Sequence, residues 1–413
     1  MPALFQHPQT IDLGAATPIE VAAELRHLPG LVMFDSSLEV RGTEPISIVA
    51  ALPTEVMHGQ IDRDWETFRA ALRARAWPGA PDVDLPLGFA AGCVEYEGAF
   101  QFGFYERALF YRHRTGEWSE IGGLSQEMKR TPSDARPPMH FCCETAKPDY
   151  CAWVRRVQEY IAAGDIYQVN LAHRLSADYE GGAFAFYEAL RLASPAPYAA
   201  YLDLGARQIL SASPESFLRL SGRHARTRPI KGTRPRRDSH DADEKSAYDL
   251  ITSPKELAEL LMITDLERND LGMVSEWGSV IVRELLTLER FEQVFHLVST
   301  IESTLRPEVD HATAFRHCFP GGSITGAPKK RAREIIAELE PVPRGVYTGA
   351  LGWFGFNEES QFNIAIRTVI VEGDRAHFHV GAGLVADSQP EQEWQETLDK
   401  AAGILRAAAS FSV

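Results

Sequence analysis

Apolar positions change rhythm along the chain. Before residue 130 they come in short runs, Leu31-Val32-Met33-Phe34 and Ile46-Ser47-Ile48-Val49-Ala50, which predict strands. The pattern breaks over 131–148, where Pro132, Pro137, Pro138 and Pro148 mix with serine and charge, the most linker-like stretch present. It separates an N-terminal region, 1–145, from a second region, 146–413, with longer elements. There the pattern predicts a helix over 149–163 and strands near 168–175, 198–204 and 216–220. Helices follow over 254–266, 328–339 and 392–407, with late strands over 347–356, 362–371 and 376–382. Strands and helices come in runs, which favours an α+β fold with large antiparallel sheets over a doubly wound one.

Two of these helices carry acidic residues in unusual places. Ser253-Pro254-Lys255-Glu256 combines a capping box with proline at the first helical position. Leu257, Leu260, Leu261 and Thr264 then form one buried stripe, and Met262, Ile263 and Leu266 a second on the opposite side, into which Glu259 projects. A carboxylate there is costly unless it meets a cation or strong donors; the plainer alternative is a half-exposed glutamate at the edge of a packed helix. In the last helix Glu393, Glu396 and Lys400 share one face, and Trp394, Leu398, Ala401 and Leu405 another that should face the core. Glu396 and Lys400 also fit an ordinary surface pair one turn apart. Just before them stand Gly381-Ala382-Gly383 and Asp387-Ser388. Glycines ending a strand let backbone N–H groups approach a ligand closely. An anion there, beside a metal held by helical carboxylates, makes a coherent site, and oxygen-only ligands suit Mg²⁺.

Residues 319–330, Phe-Pro-Gly-Gly-Ser-Ile-Thr-Gly-Ala-Pro-Lys-Lys, form a glycine-rich loop opening a helix at Pro328. Ala327 stands where a Walker A loop needs lysine, so this is not a Walker A loop; donors at a helix N-terminus can still hold a carboxylate, and the plainer alternative is a tight turn without function. Pro229-Ile230-Lys231-Gly232-Thr233-Arg234-Pro235-Arg236-Arg237 is strongly basic. Lys231, between Ile230 and Gly232, reads either as a partly desolvated amine able to act as nucleophile or base, or as an ordinary surface lysine.

Composition narrows the partners. A net charge of −15 over 413 residues argues against nucleic acid and anionic membranes, and an anionic substrate then needs a locally basic pocket. Five cysteines without zinc-like spacing, no secretory pattern in residues 1–14 and no membrane-length apolar stretch lead us to expect a reducing, cytoplasmic setting.

Six segments together resemble the chorismate-binding enzymes. They are Gly164-Asp165-Ile166-Tyr167-Gln168-Val169-Asn170-Leu171; Ser213-Pro214-Glu215-Ser216; Asp265-Leu266-Glu267-Arg268-Asn269-Asp270-Leu271-Gly272; His296-Leu297-Val298-Ser299; residues 321–329; and residues 381–388. The resemblance runs from about Tyr150 to Leu405. It implies two large antiparallel sheets packed as a sandwich with helices outside. It implies Glu259 and Glu396 as Mg²⁺ ligands with Glu393 close by, Mg²⁺ binding the ring carboxylate of chorismate. Arg367 and Tyr347 would clamp the enolpyruvyl carboxylate. Gly381, Ala382 and Gly383 would offer backbone donors to the ring carboxylate, with Thr325 and Lys400 lining the pocket. His296 corresponds to the family's active-site histidine and Glu215 to its general acid.

Two positions separate the branches. Water-using members resemble one another in carrying lysine where this chain has Gln168. Lys231, in Pro-Ile-Lys-Gly-Thr, matches the branch that makes 4-amino-4-deoxychorismate for p-aminobenzoate and folate synthesis, where this lysine attacks the ring; the anthranilate-forming branch typically has alanine. No cysteine lies in a Gly-x-Cys-x-Gly turn, so ammonia is expected from a separate glutamine amidotransferase subunit. The rivals are the anthranilate-forming branch and a silent scaffold that only docks an amidotransferase. In relatives the N-terminal region carries a tryptophan site. Phe34-Asp35-Ser36-Ser37 stands at the matching turn in a segment short for the family.

Overall fold

The computed structural model describes residues 7–36, 38, 40, 44–77, 83–132, 137–237, 239–291 and 294–409. Ser37, at the turn just named, and residues 133–136, in the linker-like stretch, lie outside them. Among the described residues, twelve strands form one sheet and ten a second. The larger sheet runs from Gln9–Ile11 through Val32–Asp35 to Tyr198–Asp203, Arg207–Ser213, Thr368–Glu372, Arg375–Leu384, Gln168–Asp178 and Gly326–Ala327. The smaller runs from Ile230–Pro235 through Val294–Thr304, Ser216–Ser221, Glu359–Ile364 and Ala350–Gly355 to Phe89–Val94 and Glu55–Gln60.

The sheets share a core. Val32, Ile48, Phe110, Ala200 and Ile209 of the larger sheet pack with Phe89, Ala91, Tyr105, Leu351 and Trp353 of the smaller. Helices Pro18–Leu25, Ala183–Ala193 and Pro390–Ala409 cover the outer face of the larger sheet through Val21, Leu25, Phe186, Leu190, Ala401 and Ile404. The fold is thus α+β, two antiparallel sheets with helices outside, as the sequence implied. Strands from both sides of residue 145 enter both sheets. Val32–Asp35 pairs with Tyr198–Asp203, and Phe89–Val94 with Ala350–Gly355.

Three sequence expectations change here. The single strand expected over 362–371 is two strands, Glu359–Ile364 in the smaller sheet and Thr368–Glu372 in the larger. Between them Arg367 has φ +50, a left-handed conformation that a non-glycine residue seldom adopts, and the chain crosses from one sheet to the other. The helix Pro254–Gly272 has one buried stripe, not two: Glu259, Leu260, Ile263, Thr264, Glu267, Asp270 and Leu271 are buried, while Leu261 is exposed. Spacings of three and four residues put these on one face, with Glu259 and Glu267 inside it. Finally, Ser253 caps this helix by accepting from the Glu256 N–H, but the Glu256 carboxylate faces Arg234 at 3.8 Å.

Candidate active site

The proposed residues come from distant segments and meet at the ends of the two sheets. Lys231 lies on Ile230–Pro235, which pairs with the strand of His296. Its ammonium donates to the Ser323 carbonyl oxygen at 3.2 Å, tying it to the glycine-rich loop. Glu215 is buried and accepts a long contact, 3.5 Å, from the Ile230 N–H. Burial raises its pKa while Lys231 and Lys400 pull it down, leaving an acid that holds its proton more tightly than a surface glutamate. His296 is buried with Nδ1 3.0 Å from Thr233 Oγ1. Burial, and then the charge of Arg367, push its pKa down to about 4, so the ring is neutral at neutral pH.

Arg367 stands at the crossover between the sheets. Among the described residues its guanidinium has no hydrogen-bonded or ion-paired partner; burial lowers its pKa and the charge of Glu215 opposes this. A half-buried cation without a hydrogen-bonded or ion-paired partner is a ready receptor for a carboxylate. Tyr347 stacks on His379 with centroids 5.3 Å apart, and Arg344 lies 5.8 Å over its ring. Arg344 is fully buried and holds this corner together. It donates to Glu340 at 2.7 Å, Asn170 O at 2.6 Å, Ile324 O at 3.0 Å and Thr348 Oγ1 at 3.2 Å.

Gly381, Ala382 and Gly383 lie within the ladder of Arg375–Leu384, opposite Ala172, Leu171 and Asn170. Their lack of bulk keeps the floor open. A Cβ at 381 would meet Leu171 O at 2.7 Å, and Asn170 Oδ1 and the Tyr347 hydroxyl at 2.9 Å; one at 383 would meet Gln168 Nε2 at 2.6 Å and Glu259 Oε2 at 3.6 Å. Thr325 is fully buried, and its carbonyl oxygen accepts from the Asn170 N–H at 2.8 Å. Lys400 donates to Gly381 O at 2.9 Å and pairs with Glu396 at 2.8 Å, so the expected surface pair also reaches the glycine strand.

The carboxylates converge from two helices. Glu259 is buried and burial raises its pKa, with Lys231 and Lys255 countering. Glu393 accepts from Ser388 Oγ at 2.7 Å and lies 3.3 Å from the Lys255 ammonium. Burial works against the Glu396 carboxylate, yet Lys400, Lys255 and Lys231 hold its pKa below the usual range. Among the described residues no three acidic, histidine or cysteine side chains draw close enough to enclose an ion by themselves. The chemistry of the donors nevertheless fits a hard cation. Glu259 Oε1 and Glu393 Oε2 are buried without a hydrogen bond, and Mg²⁺ typically takes one or two carboxylates beside water and substrate oxygens.

Sequence reasoning passed over three participants. Lys255 entered only as part of a helix cap, though its place one turn before Glu259 was a usable signal. Arg344 sits one turn after Glu340, but its burial is tertiary. Glu267 was noted only as part of a motif. It is buried, and its pKa is raised to about 8 by burial and then by Glu215 and Asp270, against Thr227 and Lys329.

Away from this site, a cavity is lined by Phe34, Ser36, Ile48, Tyr198, Arg219 and Trp353. Beside it Asp35 is buried, pairs with Arg191 and accepts from Ser47 Oγ at 3.1 Å. No helix among the described residues is long and apolar enough to cross a membrane.

The chorismate binding enzyme family matches residues 50–406. The chain is 43% identical over 283 residues to aminodeoxychorismate synthase component 1 of Bacillus subtilis, covering 68% of this chain and 59% of that protein. It is 46% identical over 332 residues to an anthranilate synthase component 1 of Haloarcula marismortui, covering 80% of this chain and 65% of that one. The chain thus spans roughly three fifths of the length of these relatives. Anthranilate synthase component I from Streptococcus pneumoniae TIGR4 superposes with a TM-score of 0.78 at 30% identity, covering 89% of this chain and 93% of that chain.

Proposed function

The chain belongs to the chorismate-binding enzyme family, and on that premise we propose that it is the amination component of an aminodeoxychorismate synthase. It would convert chorismate and ammonia, delivered by a separate glutamine amidotransferase, to 4-amino-4-deoxychorismate in p-aminobenzoate and folate synthesis. The observation that carries this reading is Lys231, an amine directed at the glycine-rich loop through Ser323 and within the field of Glu215, Glu259 and Glu396.

In this reading the enolpyruvyl carboxylate pairs with Arg367 beside Tyr347, and the ring carboxylate lies over Gly381–Gly383. Lys231 passes a proton to Glu215 and, as the amine, bonds to C2, the ring double bonds shift, and the C4–O bond breaks. Glu215 gives its proton to the departing hydroxyl, which leaves as water. Ammonia then bonds to C4, the double bonds shift back, and the C2–Nζ bond breaks to release Lys231. Mg²⁺, held by Glu259, Glu396 and Glu393, would neutralise negative charge on the ring carboxylate and at the leaving group. Gln168, buried beside Gly383, offers no amine to activate water.

Formation of anthranilate is the second reading, favoured by the 46% identity to a relative of that name. Product identification separates the two. Protein, chorismate, Mg²⁺ and an ammonium salt should give aminodeoxychorismate, with a large loss in Lys231→Ala. Anthranilate or isochorismate from the unaltered protein would refute the proposed branch.

A further inference from the structure

The carboxylate cluster already contains a cation of its own. Lys255, in the first turn of Pro254–Gly272, places its ammonium 3.3 Å from Glu393 Oε1 and 4.0 Å from Glu259 Oε1, and Glu396 adds to the field around it. It therefore bridges the two helices that supply the acidic groups. The bridge is incomplete, because Glu259 Oε1 and Glu393 Oε2 are both buried without a hydrogen bond. The two carboxylate side chains are 9% and 4% exposed, whereas that of Lys255 is 45% exposed. The acids are fixed in the protein, and the lysine has a path to solvent.

We infer that Lys255 is an internal counter-ion of this cluster, which a divalent cation must displace in order to bind. The inference rests on the reading of Glu259, Glu393 and Glu396 as metal ligands. Carboxylates held this close repel one another without a cation between them. A single ammonium can relieve that repulsion but cannot satisfy every buried oxygen. A divalent ion brings twice the charge at shorter contact distances, and the flexible lysine stem can withdraw into water. The cost of separating the lysine from the acids is deducted from metal affinity. In exchange, the metal-free protein avoids an uncompensated buried acidic cluster.

A purely structural lysine and a competing one predict different results. Removing a structural lysine would loosen the cluster and weaken both the fold and metal binding. Removing a competitor should lower the stability of the metal-free protein but tighten metal binding. The test is titration of Mn²⁺ into substrate-free protein, followed by calorimetry or electron paramagnetic resonance, with Lys255→Met, Lys255→Gln and Glu259→Gln alongside. Lys255→Gln keeps most of the side-chain length and covers the case that the methionine variant misfolds. Both lysine variants should bind Mn²⁺ about tenfold more tightly than the unaltered protein. They should melt lower in chelator and gain more in Tm on adding Mn²⁺, while Glu259→Gln loses binding. Equal or weaker Mn²⁺ affinity in the lysine variants, with binding still dependent on Glu259, would overturn the competition and leave the metal site standing. Absence of Mn²⁺ binding in every protein, with chorismate present as well as without it, would remove the metal site and the competition together.

Discussion

Glu267 shows how burial sets the charge of an acid against a hydroxyl that opposes it. Thr227 Oγ1 lies 2.8 Å from the Phe217 carbonyl oxygen and 2.6 Å from Glu267 Oε2. The hydroxyl has one proton for two acceptors, and where it donates to Glu267 it favours the charged carboxylate. Burial outweighs that contact and, with Glu215 and Asp270, raises the pKa to about 8. The folded state keeps a proton that the unfolded chain releases near the ordinary value of 4.5. Glu267 therefore contributes stability that is fully present below that value and lost as pH rises toward 8. Glu267→Gln removes the titrating group and keeps an oxygen that can accept from Thr227. Its stability should fall less between pH 5 and 8, by on the order of 2–4 kcal/mol, in denaturant melts across that range. Parallel curves for the two proteins would mean that Glu267 is ionised when folded. His296 works in the opposite sense: with its pKa depressed to about 4, its stabilising contribution is lost as pH falls from its ordinary value of 6.5. Arg367→Ala should weaken chorismate binding by roughly 2–3 kcal/mol, about 30- to 150-fold, since a buried carboxylate loses its partner. An unchanged Kd would place the clamp elsewhere. Side-chain identity was legible because motifs contain Glu267 and His296 and the family resemblance points to Arg367. Their charge states were not, because burial and the neighbours that set them are tertiary.

At the scale of elements, the helix Pro254–Gly272 carries Lys255 and Glu259 in its first turns and Glu267 and Asp270 near its far end, the three acids along one buried face. Lys329 anchors its end by donating to Asp270 at 2.6 Å and to Pro320 O at 2.9 Å, which clamps the glycine-rich loop against it. Periodicity located this helix and its cap but divided its apolar residues into two stripes. Leu261 is as apolar as Leu260, and only packing decides which is covered. The break at Arg367 was equally hidden. The residues from 362 to 371 read as one strand, and although Arg367 and Thr368 interrupt its apolar positions, their polarity alone does not say that the chain leaves one sheet for the other. The glycine strand was legible, and its purpose can be tested. Gly381→Ala would set a Cβ 2.7 Å from the Leu171 carbonyl oxygen, a backbone atom that cannot swing aside, and 2.9 Å from the Tyr347 hydroxyl. We expect a loss of about 1–3 kcal/mol in stability together with weaker chorismate binding. Stability and affinity both unchanged would show that the floor has room to spare.

On the scale of the whole molecule, the sheets that carry the site take strands from both sides of residue 145. Val32–Asp35 is hydrogen-bonded to Tyr198–Asp203, and Phe89–Val94 to Ala350–Gly355. Phe89, Ala91, Cys93 and Tyr105 fill the same core as Leu202, Ile209, Leu351 and Trp353. The proline-rich stretch was visible in composition, but composition reports only where the chain runs over the surface. It does not report which strands will become neighbours, because those pairings join residues more than a hundred positions apart. Residues 146–413 contain all the motifs, yet alone they would expose the unpaired edges of Tyr198–Asp203 and Ala350–Gly355 and half of a shared core. Such edges and surfaces drive aggregation. The full chain should therefore unfold in one calorimetric transition. Residues 1–145 and 146–413 produced separately should each lack a cooperative transition, and producing them together should restore one along with chorismate binding. A sharp transition and intact chorismate binding from 146–413 alone would mean that the N-terminal strands only cover a core and a site that form without them.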